Sequence, residues 1–500
     1  MTLIEREFRK RVTRIPHHGL GLSVDVYTPD LFELVGELER RGLDYGYLEI
    51  FKAAPAALEV LRRRLPQARL AYHAEGLWVT QPDPERLSPF DAELDEAAEQ
   101  LRILDSQWLN HECAAKQMAG HTFGTYLPAL FTTASAEVTA ANIAHAQQRL
   151  DRTIPARDGR AGLDDDGIGP LFLLETPPLT YVGFGDLDLA EFFRLVTDRT
   201  PCGVVLDIGH LWTVYRYTGE WRRRSLTAFL AGFLDTFPLE RVVEIHMAGL
   251  ALHPSVPSQT RTTGEPPLWP PLWIDAHGAP IPDLLADMLA QVLEHKGLAH
   301  LKGVALEVDT KPIPMIVEEF ANACVRFKSQ CSRFEVRSLG GKNQRRTSNV
   351  ELRTSEMPRT SNLELAEQYD RYAQIVTGRA VNGLPVLGQD ASALPLYVEH
   401  YLPHEILEWG GAVREMFPET CRSLDRSGIP LDEFVRFWFR EPRATGETYD
   451  FFLLKIARFV EFVRGVLPGA LDTVEHEARG LRDAYAMANE PVAASLNVNR

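Results

Sequence analysis

Thiols are scarce in this chain. Five cysteines, Cys113, Cys202, Cys324, Cys331 and Cys421, are spread over 500 residues, an odd number with no CxxC spacing. Neither a disulfide framework nor a thiolate metal site follows from that pattern, and reduced thiols are the expectation. Long apolar runs are also missing, so no stretch approaches a membrane span. The first residues, "MTLIEREFRKRVTRIP", carry charge but no apolar core of a secretion signal. A cytoplasmic protein is expected. Positive charge is not in excess either: the formal net charge of -16 excludes a general affinity for nucleic acid or an anionic membrane.

What is present is an ordinary globular mixture, 45% hydrophobic and 24% charged, which has the apolar content to build packed cores. Five hundred residues exceed one ordinary core, so two domains are expected, one of them a large barrel. Short β-branched and aliphatic runs alternate with amphipathic helical stretches such as "PDLFELVGELERRG" and "IPDLLADMLAQVLEHKG". Eight such runs predict strands near 20–26, 45–50, 69–73, 106–111, 171–175, 202–207, 241–246 and 301–307. Eight strand-then-helix units predict an α/β fold, the TIM (β/α)8 barrel.

In that fold the C-terminal strand ends meet at one face, where catalytic groups gather. Strands three to eight each end in, or just before, a side chain able to bind a metal: His73, His111, Glu175, Asp207 with His210, His246 and Glu307. The loop after strand seven adds Asp275 and His277 in "WIDAHGAP". Buried imidazoles and carboxylates cost several kcal/mol each, roughly, when left without partners. Metal ions would compensate. A mixed nitrogen and oxygen set without thiolate suits iron, manganese or zinc, and nine candidates exceed the four to six ligands of one ion, about two or three ions' worth.

Other candidates have plainer readings. Glu49 ends strand two without a neighbouring ligand and is expected to support rather than coordinate. Surface positions are expected for His17 and His18, and solvent exposure for His121 and His253. Cys113 reads as a small buried thiol, and Asp309 as a group that orients a ligand by a hydrogen bond.

The blocks "YHAEGL", "WLNHECA", "FLLETPPLTY", "VVLDIGHLW", "VEIHMAGL", "WIDAHG" and "VALEVDTKPIP" stand in an order that resembles the multinuclear non-heme iron-dependent oxidative enzymes (MNIO), the family that includes the iron enzyme of methanobactin biosynthesis. The resemblance covers about residues 15 to 330. It implies a barrel holding two or three iron ions on His73, His111, Glu175, Asp207, His210, His246, Asp275, His277 and Glu307. It also implies an oxidoreductase that uses dioxygen as co-substrate to oxidise a residue, as a rule cysteine, in a ribosomally made precursor peptide during natural-product (RiPP) maturation. Many relatives carry Glu-Asn where this chain has Glu175-Thr176, and asparagines at the positions of Gly209 and His210. A Pro-rich insertion, "HPSVPSQTRTTGEPPLWPPLW", separates His246 from Asp275 beside the substrate approach.

Three segments are expected: a barrel over 1–331, a flexible Ser, Thr, Asn and Arg-rich linker over 332–365, and a helical domain over 366–500. The last, through "ILEWGGAVREMFPETC" and "FLLKIARFVEFV", resembles the partner proteins encoded beside such iron enzymes. That likeness implies a natural fusion in which the tail helps recruit a small cysteine-containing precursor peptide. Two other classes stay open: a divalent-metal sugar isomerase or phosphodiesterase on the same barrel, and a non-catalytic carrier that holds metal and peptide. Coloured, oxygen-reactive iron separates the first class from tight colourless binding of magnesium, manganese or zinc.

Overall fold

A computed structural model describes residues 1–84, 89–154, 168–253, 270–338, 359–443 and 449–489, with side chains left out at 335–338, 359–361 and 488–489. Eight parallel strands close a barrel: β1 (Gly19–Val24), β2 (Leu48–Phe51), β3 (Leu70–His73), β4 (Trp108–Glu112), β5 (Leu171–Glu175), β6 (Gly203–Asp207), β7 (Val242–Met247) and β8 (Gly303–Glu307). Each pairs with its neighbours in sequence, and β1 closes on β8 through Gly19 opposite Gly303. This is the expected TIM barrel, with every predicted strand in place. Helices flank it, and their starts follow side-chain chemistry. Asp30 accepts from the Phe32 and Glu33 amides at 2.9 Å, and Asp188 with Glu191 forms a capping box.

The barrel interior has two levels. At the lower one Ala71, Trp108, Leu171, Leu173, Val205, Val243 and Ala305 pack around Tyr47, and the helix Leu3–Val12 plugs that end with Phe8 and Val12. Tyr47 occupies space that only glycine leaves open: a Cβ at Gly21 would lie 2.4 Å from its ring, and one at Gly303 would lie 2.6 Å from its hydroxyl. The upper level carries the polar strand ends.

Two small antiparallel ribbons stand on the upper face. One joins Ala114–Met118 to His121–Pro128, turning at Ala119 and Gly120, both with positive φ. The other pairs Leu250–Leu252 with Trp273–Asp275.

Among the described residues, the chain from 359 onward is mainly helical and packs on the barrel. Tyr369 lies between Ser135, the Leu130 amide and the Thr80 carbonyl, all within 3.3 Å of its hydroxyl. The Trp438 indole donates to the Thr122 carbonyl at 2.7 Å, and the Arg443 amide to Gly120 at 2.5 Å. Across the span expected as a linker, 332–365, one helix, Ile313–Ser338, runs past its start, and another, Arg359–Val376, begins before its finish. The part between, 339–358, lies outside the described residues.

Candidate metal centre

Residues two apart on a strand face the same side. Above the packed lower level, this rule lifts His73, Glu175, Asp207 and Glu307 into the barrel mouth, where Glu175, Asp207, His246 and Glu307 bring one ligand atom each within 4.8 Å of one another. All four are buried to 2% exposure or less. His246 Nδ1 lies 3.2 Å from both Glu175 and Glu307. His73 Nε2 lies 3.4 Å from Glu175 on the other side.

Asp207 caps the helix Ile208–Tyr217 by accepting from the His210 amide, which sets His210 one turn on and above the same mouth. The ribbon strand Trp273–Asp275 then reaches over: His210 Nε2 is 3.6 Å from Asp275, Asp275 is 3.0 Å from His277 Nε2, and His277 Nε2 is 3.3 Å from Glu307. Eight of the nine expected ligands thus form one chain of contacts.

His111 stands apart. Register pairs Glu112, not His111, with Glu175, so Glu112 faces the mouth, its Oε2 3.9 Å from His73, while His111 packs edge-on to Trp78 and Tyr126. His73, Glu75 and Glu175 remain close enough to act on the His111 charge, and burial pushes that ring down to about 3, hence neutral.

The imidazoles share a further feature. His73 Nδ1 lies 3.1 Å from the Ala74 carbonyl, His111 Nδ1 2.8 Å from that of Glu112, His210 Nδ1 2.5 Å from that of Thr176, and His277 Nδ1 2.5 Å from the Asp309 carboxylate. Each acceptor takes a hydrogen bond from Nδ1 and leaves Nε2 as the nitrogen that would meet a metal, the arrangement of metal-binding histidines. Asp309 therefore orients His277, as expected. His246 is reversed: Nε2 is 3.0 Å from Glu49, itself held by Ser23 Oγ at 2.9 Å, which leaves Nδ1 toward Glu175 and Glu307. Glu49, expected to have no neighbouring ligand, instead lies with Glu244 and His246, one ligand atom of each within 4.8 Å of the others. Thr176 and His210 thus touch each other through the Thr176 carbonyl.

Charge makes a metal fit. Eight carboxylates, Glu49, Glu112, Glu175, Asp207, Glu244, Asp275, Glu307 and Asp309, meet five imidazoles, and Asp207 Oδ2, Asp275 Oδ1, Glu307 Oε2, Glu112 Oε2 and His111 Nε2 are buried without a hydrogen-bond partner. Burial, with Glu307, Asp275 and Glu175 nearby, raises Asp207 to about 7 against the pull of His210. Burial likewise raises Glu112 to about 7. It opposes a charge on His73, yet Glu112, Glu175 and Glu49 lift that ring to about 10. Cations would relieve this excess of negative charge. The donors are nitrogen and oxygen alone; Cys113 is a fully buried core thiol, and all five cysteines are free.

Residues 166–325 match the family described as RiPP precursor modification enzyme MbnB/TglH/ChrH. The match spans β5 to β8 of the barrel. The matched segment contains Glu175, Asp207, His210, His246, Asp275, His277 and Glu307 and leaves out His73 and His111. The UPF0276 protein of Caulobacter vibrioides (strain NA1000 / CB15N) is 25% identical over 246 residues, 48% of this chain and 70% of that protein. The UPF0276 protein of Bordetella pertussis (strain Tohama I) is 28% identical over 290 residues, 56% of this chain and 82% of that one. Among solved structures, endonuclease IV from Thermus thermophilus aligns over 63% of this chain and 99% of its own with a TM-score of 0.34 at 17% identity.

Local sequence reading missed several residues that this barrel buries. Glu244 shares the inner face with His246, 3.6 Å away, and accepts from Tyr47. The alternation in "VVEIH" puts both on one side, a signal that could have found it. His18, expected at the surface, is buried against Trp108 and Tyr47 under the barrel. His121 and His253, expected in solvent, are 4% and 6% exposed because the C-terminal helices cover them: His121 meets Phe439 and Arg379, and His253 meets Tyr401 and His404. Of the insertion between His246 and Asp275, residues 254–269 lie outside the described residues.

Proposed function

We propose that this protein is an iron- and dioxygen-dependent oxidase that modifies a cysteine residue of a ribosomally made precursor peptide. The observation that carries the reading is the joined set of buried carboxylates and inward-facing imidazoles within the segment that matches a peptide-modifying family. The residues to hold two or three irons are His73, Glu175, Asp207, His210, His246, Asp275, His277 and Glu307, with His111 completing the set by its bare Nε2. Bound iron with an open position supplies dioxygen activation and lowers the pKa of a substrate thiol.

The chain's own residues do the remaining work. Asp309 and Glu49 hold His277 and His246 in orientation, and the carbonyls of Ala74, Glu112 and Thr176 do the same for the other rings. Glu112, 3.9 Å from His73 and with its carboxyl near neutrality, can hold or release a proton at Oε2. Solvent reaches the ligands on one side: His277 and Asp309 keep 25% and 23% of their side chains exposed, while Glu175 and His246 keep 1% and 0%. A peptide would approach over His277. The helical region from 366 onward, read as a fused partner-like unit, recruits the peptide.

Aerobic incubation of iron-loaded protein with the small cysteine-bearing peptide encoded beside it, followed by mass spectrometry, tests this reading. An oxygen-dependent mass change on the cysteine is expected. Tight colourless zinc or manganese, with no oxygen consumption, would instead favour a sugar isomerase or phosphodiesterase.

A further inference from the structure

A groove of about 370 Å³ lies in the C-terminal region, where the helices Leu402–Glu408 and Asp432–Trp438 meet the turn after Val376. Its floor is apolar, with Val398, Leu402 and Phe439, and its walls carry Arg379, Arg436 and Arg440 against a single carboxylate, Asp432. Arg436 and Arg440 are exposed, and among the described residues neither has an ion pair. Three guanidinium groups in one groove are unusual in a chain of net charge -16. Screening over about 8 Å at physiological salt lets such a local patch act independently of the net charge.

The groove borders the ribbon that joins Ala114–Met118 to His121–Pro128. Arg379 Nη2 donates to His121 Nε2 at 2.7 Å, and His121 packs against Phe439. Because arginine has no acceptor, that contact leaves the His121 proton on Nδ1. His121 Nδ1 and Arg458 Nη1, close enough to act on each other's charge, are both buried donors without a partner among the described residues. Such donors call for an acceptor that the described residues do not supply.

We propose that this groove docks an acidic, amphipathic stretch of the peptide substrate, its carboxylates on Arg379, Arg436 and Arg440 and its apolar side chains on Val398, Leu402 and Phe439. The proposal rests on the peptide-modifying reading above and adds where the peptide is held away from the reacting residue. The apolar floor between the arginines favours a peptide over a nucleic-acid backbone, which would need a continuous basic stripe.

A fluorescein-labelled synthetic helix-forming peptide with Glu and Leu on opposite faces serves as the probe, and its Lys-for-Glu counterpart as the control. Anisotropy with the full, iron-loaded chain should show binding of the acidic peptide only, weakened by added salt. The combined variant Arg436→Glu and Arg440→Glu should weaken it about tenfold or more. Arg436→Gln with Arg440→Gln, checked for folding by circular dichroism, should give a smaller loss in the same direction. Equal binding of both peptides, unchanged affinity in both variants, or displacement of the peptide by single-stranded DNA or phosphatidylglycerol vesicles would overturn the proposal. Iron content, measured on the same samples, keeps this result apart from the oxidase reading. A variant that keeps iron and peptide affinity sinks the groove alone, whereas wild-type protein that takes up no iron sinks the metal centre alone.

Discussion

Ala71, Leu173, Val205 and Ala305 face into the barrel, and so do His73, Glu175, Asp207 and Glu307, two residues further along the same strands. The lower set packs around Tyr47 and Trp108 and stabilises the fold by leaving water. The upper set has left water too, but as charge, and it costs stability until counter-charge is supplied. One backbone therefore carries two levels with opposite energetic signs. Substitutions in the two levels should fail in different ways.

The largest effect belongs to the upper level. Glu175→Ala and His246→Ala should each lose bound iron and turnover together, down to background, while circular dichroism shows the barrel intact. Iron retained in both variants would break the division between levels. Trp108→Ala, in the lower level, should show the converse: a loss of about 3–5 kcal/mol in denaturant unfolding, with iron per folded chain unchanged.

Asp309→Asn sharpens the comparison, because it touches a ligand without being one. Metal affinity should fall about 10- to 100-fold through misorientation of His277, read by competition with a chelator. The smallest effect concerns Glu405, buried to 2% exposure between the C-terminal helices and the ribbon at Gly124. Burial raises its carboxyl to about 8, with Lys116 and Lys455 pulling the other way. The folded form then binds a proton that the unfolded form has released, from about pH 4.5 up to about pH 8, so stability should fall as pH rises through that window. Glu405→Gln should flatten this slope in thermal denaturation curves recorded between about pH 5 and about pH 9. An unchanged slope would remove Glu405 as its source.

The barrel was legible in the sequence because each strand is a short apolar run with its own punctuation, and parallel strands buried on both faces leave that mark locally. The cluster of strand-end polar residues was legible for the same reason, since a charged residue closing such a run is conspicuous. Glu49 and Glu244 were harder, lying inside the runs where alternation alone reveals their face. His111 shows the limit of counting strand ends: one residue of register decides between it and Glu112, and only pairing with Glu175 settles which enters the mouth. The burial of His121 and His253 depends on helices more than 100 residues away, as with Arg379 on His121 at a separation of 258, and no local pattern carries that information. The extension of the helix Ile313–Ser338 past 332 was hidden by the polar composition of its last turns.

Elemental analysis of the full chain after anaerobic reconstitution with ferrous iron and removal of excess metal tests the central claim most directly. The account predicts about two or three irons per chain in the wild type, with Glu307→Ala, which removes the carboxylate between His246 and His277, losing most of them. A wild-type chain that retains no iron, or a Glu307→Ala chain that retains all of it, would contradict the account.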